Sequence, residues 1–268
     1  MPSLLIRVCG GCSLFTSDIE SSDATSYAHF DAATYDAAIG DLRRKQTRDV
    51  LQFARGHVRG GEWLDVGCGP GFLLAEAAAA GFHVRGIEPD ANAVTRARSL
   101  VGAHCIREGM FGDAEEQPVD VLSTLDVLEH IAPDDVPNFV ATIRSSLRAD
   151  GAWLIKVPSA EGLCFQLAHA LRLSRVIERL WQVGYASPHR LYFTRASLQR
   201  LLERHGFRVH DWRHVQELPL RSAIPRLTLA GTVSRARAIM ALPAVAAMNV
   251  IDAMRGKADS LLVLARPK

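Results

Sequence analysis

The chain has 268 residues, 48% hydrophobic and 22% charged, with a formal net charge of +2. That length can bury a sizeable core, and the balance is ordinary for a soluble globular protein. The near-neutral charge removes the electrostatic case for nucleic acid as the main partner. Cys9, Cys12, Cys68, Cys105 and Cys164 are odd in number and scattered, which does not describe a disulfide framework, so a cytoplasmic location is expected.

In chain order, residues 1–50 read as an N-terminal arm rich in Ser, Asp, Ala and Tyr. Its start, "MPSLLIRVCGGCS", has one short apolar run and no long apolar region with a cleavage site, so no secretory signal is expected. Cys9 and Cys12 form one C-x-x-C, but a structural zinc needs four ligands and no second pair follows, so no metal is expected. Residues 51–268 read as one domain with helical insertions at about 160–187 and 222–255.

From Arg59 to Pro158, strand and helix patterns alternate, the signature of βαβ units. "EWLDVG" predicts a strand, "FLLAEAAAAG" a helix stopped at Gly81, "HVRGIEPD" a second strand and "ANAVTRARSL" a second helix. "HCIREGM" holds a weak third strand. "VDVLSTLD", "DDVPNFVATIRSSL" and "AWLIKVPS" continue as strand, helix and strand. After Ser159, a helix-rich stretch over Glu161–Gln182 stands where a lid over the strand ends could form. "TRASLQRLLERHGF" is an amphipathic helix capped by Thr194 and stopped by Gly206, and "RVHDWRHV" and "DSLLVLAR" close the chain as two strands. The predicted fold is α/β: a doubly wound, mainly parallel, seven-stranded Rossmann-like sheet with an antiparallel last strand, a helical lid and an N-terminal arm.

The stretch "WLDVGCGPGFLL" asks what its glycine turn holds. A strand that enters a glycine-rich turn and feeds a helix suits a nucleotide-like ligand across the strand ends. Gly67, Gly69 and Gly71 fail the dinucleotide spacing G-x-G-x-x-G, because Phe72 stands where its last small residue should be. No Lys follows Gly71, so a phosphate loop fails too. Asp65 would repel an anion and attract an ammonium, and Glu88 at the second strand end can accept from two ribose hydroxyls. A cationic, phosphate-free ligand with a ribose fits, and S-adenosylmethionine is one.

With these residues, the chain resembles the class I S-adenosylmethionine-dependent methyltransferases, in "LDVGCGPG", "GIEPD", "GDAEEQPVDVLSTLDVLEHI" and "LRADGAWLIKVPS". "SPHRLYFTRASLQRLLERHGF" is similar to a block of the subgroup that includes quinone-pathway and sugar methyltransferases. The resemblance runs from about Tyr27 to Val215, plus the last strand. It implies that Asp65, Gly67 and Gly69 hold the methionine end, Glu88 the ribose, and Asp113 and Ala114 the adenine, with Gly71 and Pro89 also among the cofactor-binding residues. It further implies that Asp126, Val127 and His130 line the floor, and that Tyr27, Phe30 and Tyr35 belong to an arm that closes over the cofactor.

His189 and His130 are the candidates for taking a proton from an acceptor hydroxyl, since histidine titrates near neutrality. The expected reaction is methyl transfer to a small molecule, at oxygen. The alternatives are N- or C-methylation, or a binding module without catalysis. Residues 223–254 are apolar enough to lie on a membrane, with Arg235 and Arg237 toward head groups, but a helical pair packed on the sheet or in a dimer is the preferred expectation. Pro225, Arg226, Arg235, Arg237 and Pro243 are expected to break any membrane-crossing span. The expected assembly is a monomer or homodimer.

Overall fold

A computed structural model of the chain describes residues 4–20, 32–228 and 233–268. They form two compact units: one from Met1–Leu42, Pro158–Leu198 and His214–Leu261, the other from Arg43–Val157, Gln199–Arg213 and Leu262–Lys268. This division differs from an arm of 1–50 followed by one domain. Its cause lies in strand pairing near the N-terminus, described below.

The second unit carries the main sheet. Its strands are β3 (Glu62–Val66), β4 (His83–Glu88), β5 (Ile106–Glu108), β6 (Val119–Leu125), β7 (Leu147–Pro158), β9 (Phe207–Val215) and β10 (Ser260–Pro267), numbered along the chain with β1, β2 and β8 given below. Their order is β5-β4-β3-β6-β7-β10-β9. β3 pairs in parallel with β4 and β6, β4 with β5, and β6 with β7, while β10 enters antiparallel between β7 and β9. β3, β6 and the part of β7 from residue 151 to 158 are largely buried, as strands covered on both faces must be. β7 starts earlier than "AWLIKVPS" because Leu147 pairs with Val119 ahead of a register shift.

Three helices of this unit start as their sequences dictate. α2 (Phe72–Ala79) opens after Gly71, whose φ of 82° suits glycine. α3 (Ala91–Val101) is capped by the Asp90 carboxylate, which accepts from Asn92 N–H. α4 (Val136–Ser145) has a proline in its first turn, where no N–H is missed. α1 (Ala32–Arg55) and α7 (Arg195–Arg204) run across the division between the units. Thr194 caps α7 as expected, its hydroxyl accepting from Ser197 N–H while the Ser197 hydroxyl accepts from Thr194 N–H.

In the first unit, β1 (Ile6–Val8) and β2 (Phe15–Ser17) form an antiparallel hairpin that β8 (Leu191–Tyr192) extends. That pairing ties the N-terminal residues to the chain after Pro158. Beneath it Phe165, Trp181, Tyr192 and Ala160 form an apolar cluster with Ile6 and Phe15 around them. The stretch expected as one lid is two short helices, α5 (Leu163–Ala170) and α6 (Ser174–Leu180), with Arg172 at φ 52° between them.

α8 (Ala223–Thr228) and α9 (Arg235–Arg255) follow. α9 corrects one expectation, since Pro243 lies inside it and does not end it. The proline ring costs the bond to the Ile239 carbonyl. Both residues lie on the exposed side, where water can take that bond. By length and composition, α9 qualifies as long and apolar enough to cross a membrane.

Candidate active site

In a parallel sheet the chain reverses its strand order at one point, and the crevice beyond the strand C-termini at that point is the natural ligand site. Here the reversal falls between β3 and β6. Asp65 sits near the end of β3, Glu88 ends β4, and Asp126 and His130 follow β6. Sheet topology therefore brings these four predicted residues, and Gly67, Gly69 and Gly71, to one end of the second unit.

The glycine turn is built from positive φ angles: 70° at Gly67, 52° at Gly69 and 82° at Gly71. A Cβ on Gly67 would meet Val127 Cγ2 at 2.6 Å, and one on Gly71 would meet Ala97 at 3.1 Å, so these two glycines serve packing. A Cβ on Gly69 would meet nothing within 4 Å. That opening is what a ligand approaching the backbone needs. Within the turn, Gly67 and Cys68 donate their N–H groups to the Ile87 carbonyl, Gly71 donates to Cys68, and Gly69 donates to Glu88 Oε2 at 2.8 Å. With those donors engaged inside the protein, the turn is no nest for a phosphate.

Glu88 is buried, and each of its carboxylate oxygens accepts one backbone N–H, from Gly69 and from Asp90 at 3.0 Å. Two oxygens offer about four lone-pair positions, so two remain for hydroxyl donors. Burial raises its pKa, against the lowering effect of those two bonds. Pro89 beside it is exposed.

Asp65 is almost fully buried, and the Ser123 hydroxyl donates to its Oδ1 at 2.5 Å while accepting from Trp63 Nε1. Burial lifts its carboxyl to about 7; the Ser123 bond opposes this and the Glu88 charge adds to it. A carboxyl so placed favours a cation brought beside it.

Asp126 has a left-handed φ of 57°, rare outside glycine. Two contacts hold it there: its N–H donates to the Lys156 carbonyl at 2.9 Å, and Lys156 Nζ donates to both carboxylate oxygens at 2.8 Å. Lys156 is buried in β7, the single charge in that strand's buried part from residue 151 to 158. Sequence reasoning passed over it and Ser123, yet a cation in "AWLIKVP" is the signal that could have found it. His130 ends a short turn after Val127 and donates its N–H to the Val127 carbonyl.

Asp113 and Ala114 are exposed in the loop after β5, where the Asp113 carboxylate accepts Met110 N–H at 2.8 Å. His189 belongs to the first unit. Its N–H donates to the Trp181 carbonyl, its carbonyl accepts the Ser17 hydroxyl, and its Nδ1 stands 3.4 Å from Tyr192 Oη. Tyr27 and Phe30 lie outside the described residues, as does the Tyr35 side chain. Cys9 and Cys12 flank the β1–β2 turn, and neither is in a disulfide.

A family described as methyltransferase domain matches residues 39–211, more than half of the chain. The ubiquinone biosynthesis O-methyltransferase of Paraburkholderia phytofirmans is 30% identical over 112 residues, covering 38% of this chain and 45% of the relative. The chain thus spans less than half the length of that curated relative. Among solved structures, the 1,6-didemethyltoxoflavin-N1-methyltransferase of Burkholderia thailandensis, with 1,6-didemethyltoxoflavin and S-adenosylhomocysteine bound, superposes with a TM-score of 0.55 at 16% identity, covering 98% of this chain and 99% of that one. A mycolic acid cyclopropane synthase complexed with S-adenosylhomocysteine gives 0.60 at 19% identity, covering 84% and 85%. These likenesses carry the fold, and the family match carries the classification. The chain belongs to the methyltransferase-domain family and, within it, to the class I S-adenosylmethionine-dependent methyltransferases.

Proposed function

We propose that this protein transfers a methyl group from S-adenosylmethionine to a small-molecule acceptor and that the receiving atom is oxygen. The observation that carries the placement of the cofactor is Glu88, a buried carboxylate fixed by two backbone N–H groups with acceptor capacity left for a ribose diol. The open side of Gly69 and the cation-seeking Asp65 fit the same ligand. When bound, S-adenosylmethionine supplies a methyl group already made electrophilic by its sulfonium.

In this reading, Asp65 and the turn from Gly67 to Gly71 hold the methionine end, Glu88 and Pro89 the ribose, and Asp113 and Ala114 the adenine edge. Asp126, fixed by Lys156, shapes the floor. His130 and His189 are the groups we assign to accept the proton of an acceptor hydroxyl. Holding the acceptor in line can supply ~7–11 kcal/mol of the barrier, so no further catalytic group is needed. Support for oxygen comes from the O-methyltransferase relative.

The test is a labelled-methyl assay on a small-molecule cell extract cleared of protein and nucleic acid. Label in a small-molecule product that withstands base and is released as methyl iodide by hot hydriodic acid supports O-methylation of a hydroxyl, and label that withstands both overturns the assignment to oxygen. Label that enters only added protein or nucleic acid, or no transfer despite tight cofactor binding, overturns the reading.

A further inference from the structure

α9 is built inside out. At 3.6 residues per turn, Met240, Pro243, Ala247, Val250 and Met254 line one side, and every one of them is exposed. Met240 and Met254 are 78% and 82% exposed, and only 17% of the helix's most apolar stretch is buried. The opposite side, through Ala238, Val245 and Asp252, is the buried one. Its polar groups are engaged in the first unit: both Asp252 oxygens accept Leu163 N–H, and Asn249 Nδ2 donates to the Leu218 carbonyl. All the large exposed apolar side chains among the described residues, except Leu100 and Met110, belong to this unit.

Charge decides what covers the face. From Leu220 to Arg255 the charged residues are Arg221, Arg226, Arg235, Arg237, Asp252 and Arg255, and the single acid is the buried one. On the helical wheel, Arg235 borders the apolar side on one flank, and Arg237 and Arg255 border it on the other. Apolar sector, arginine on both borders and polar anchoring beneath is the arrangement of a helix lying in a lipid interface. A crossing helix is disfavoured, since it would carry Asp252 and Asn249 into hydrocarbon. A second copy packed antiparallel on the same face would set Arg235 and Arg237 against the partner's Arg255, like charge on like.

We propose that the exposed face of α9 seats this protein on an anionic membrane surface, with Met240, Val250 and Met254 among the acyl chains and the arginines at the phosphates. This does not depend on the methyl-transfer reading.

The experiment is co-sedimentation of the full chain with vesicles of phosphatidylcholine alone and of equal parts phosphatidylcholine and phosphatidylglycerol, with light scattering in solution alongside. The wild-type chain binds the anionic vesicles and is released by salt. Met240→Glu with Met254→Glu lowers that binding at least about tenfold by setting two charges in the apolar sector. Arg235→Gln with Arg237→Gln lowers it by about fivefold per arginine on anionic vesicles only. All four residues are exposed, so circular dichroism and S-adenosylhomocysteine affinity stay at wild-type values. Absence of vesicle binding, or unchanged binding by the double Glu variant, overturns the proposal. So does a wild-type dimer that the double Glu variant dissociates, which would give the face to a second copy.

Discussion

Glu88→Ala is the perturbation that bears most on the cofactor site. The wild-type carboxylate already accepts from Gly69 and Asp90 N–H and has room for two hydroxyl donors. Hydrogen bonds to a charged group contribute about 1.5–3 kcal/mol each. Because burial already disfavours this carboxylate's charged form, part of that gain is offset by desolvation. A net loss of about 2–4 kcal/mol remains, or about thirty- to a thousandfold in Kd. Calorimetric titration with S-adenosylhomocysteine reads this directly, and a thermal melt checks that the variant folds. Glu88→Gln keeps the volume but turns an amide donor toward Gly69 or Asp90 N–H, and loses affinity too. A folded Glu88→Ala protein binding within about threefold of wild type would refute the ribose placement.

Other consequences follow from the same geometry. The folded-state pKa of Asp65, about 7 against an ordinary 3.8, is raised, so its contribution to stability is present below pH 4 and lost as the pH climbs to 7. Relative to Asp65→Asn, the wild-type unfolding free energy should fall by up to about 4 kcal/mol over that window, and identical pH slopes in urea melts would contradict this. A cation beside Asp65 expels its proton, so S-adenosylmethionine affinity should rise from pH 6 to 8 in wild type and stay flat in Asp65→Asn. Gly69→Ala should lower stability by only about 1–2 kcal/mol through its positive φ but sharply reduce cofactor affinity, since its open side faces no protein atom. Gly67→Ala, which drives a Cβ into Val127, should cost more in the melt. Asp252→Ala removes the acceptor of Leu163 N–H at the start of α5 and should destabilise the first unit by about 1–3 kcal/mol, read by hydrogen exchange in α5.

The main sheet was legible because β3, β6 and β10 are largely buried runs between glycine, proline and capping residues. Those are local signals, and β3, β4, β6 and β10 fall where the sequence puts them. The site was legible where one residue type does one job at one spacing, as in Gly67, Gly69, Gly71 and Glu88. It was not legible where partners meet across the sheet: Ser123 reaches Asp65 and Lys156 reaches Asp126 from neighbouring strands, and no local pattern encodes the pairing. The hairpin of β1 and β2 escaped for another reason. Three-residue strands carry too little alternation to register, and their partner β8 lies far along the chain. Pro243 misled because a proline signal assumes a buried helix interior, whereas this one faces outward.

A crystal structure of the protein with S-adenosylhomocysteine bound tests the central claim most directly. The account predicts both ribose hydroxyls on the Glu88 carboxylate, the amino-acid end beside Asp65 and the ligand backbone passing over Gly69. Adenosine bound elsewhere, or a ribose turned away from Glu88, would contradict it.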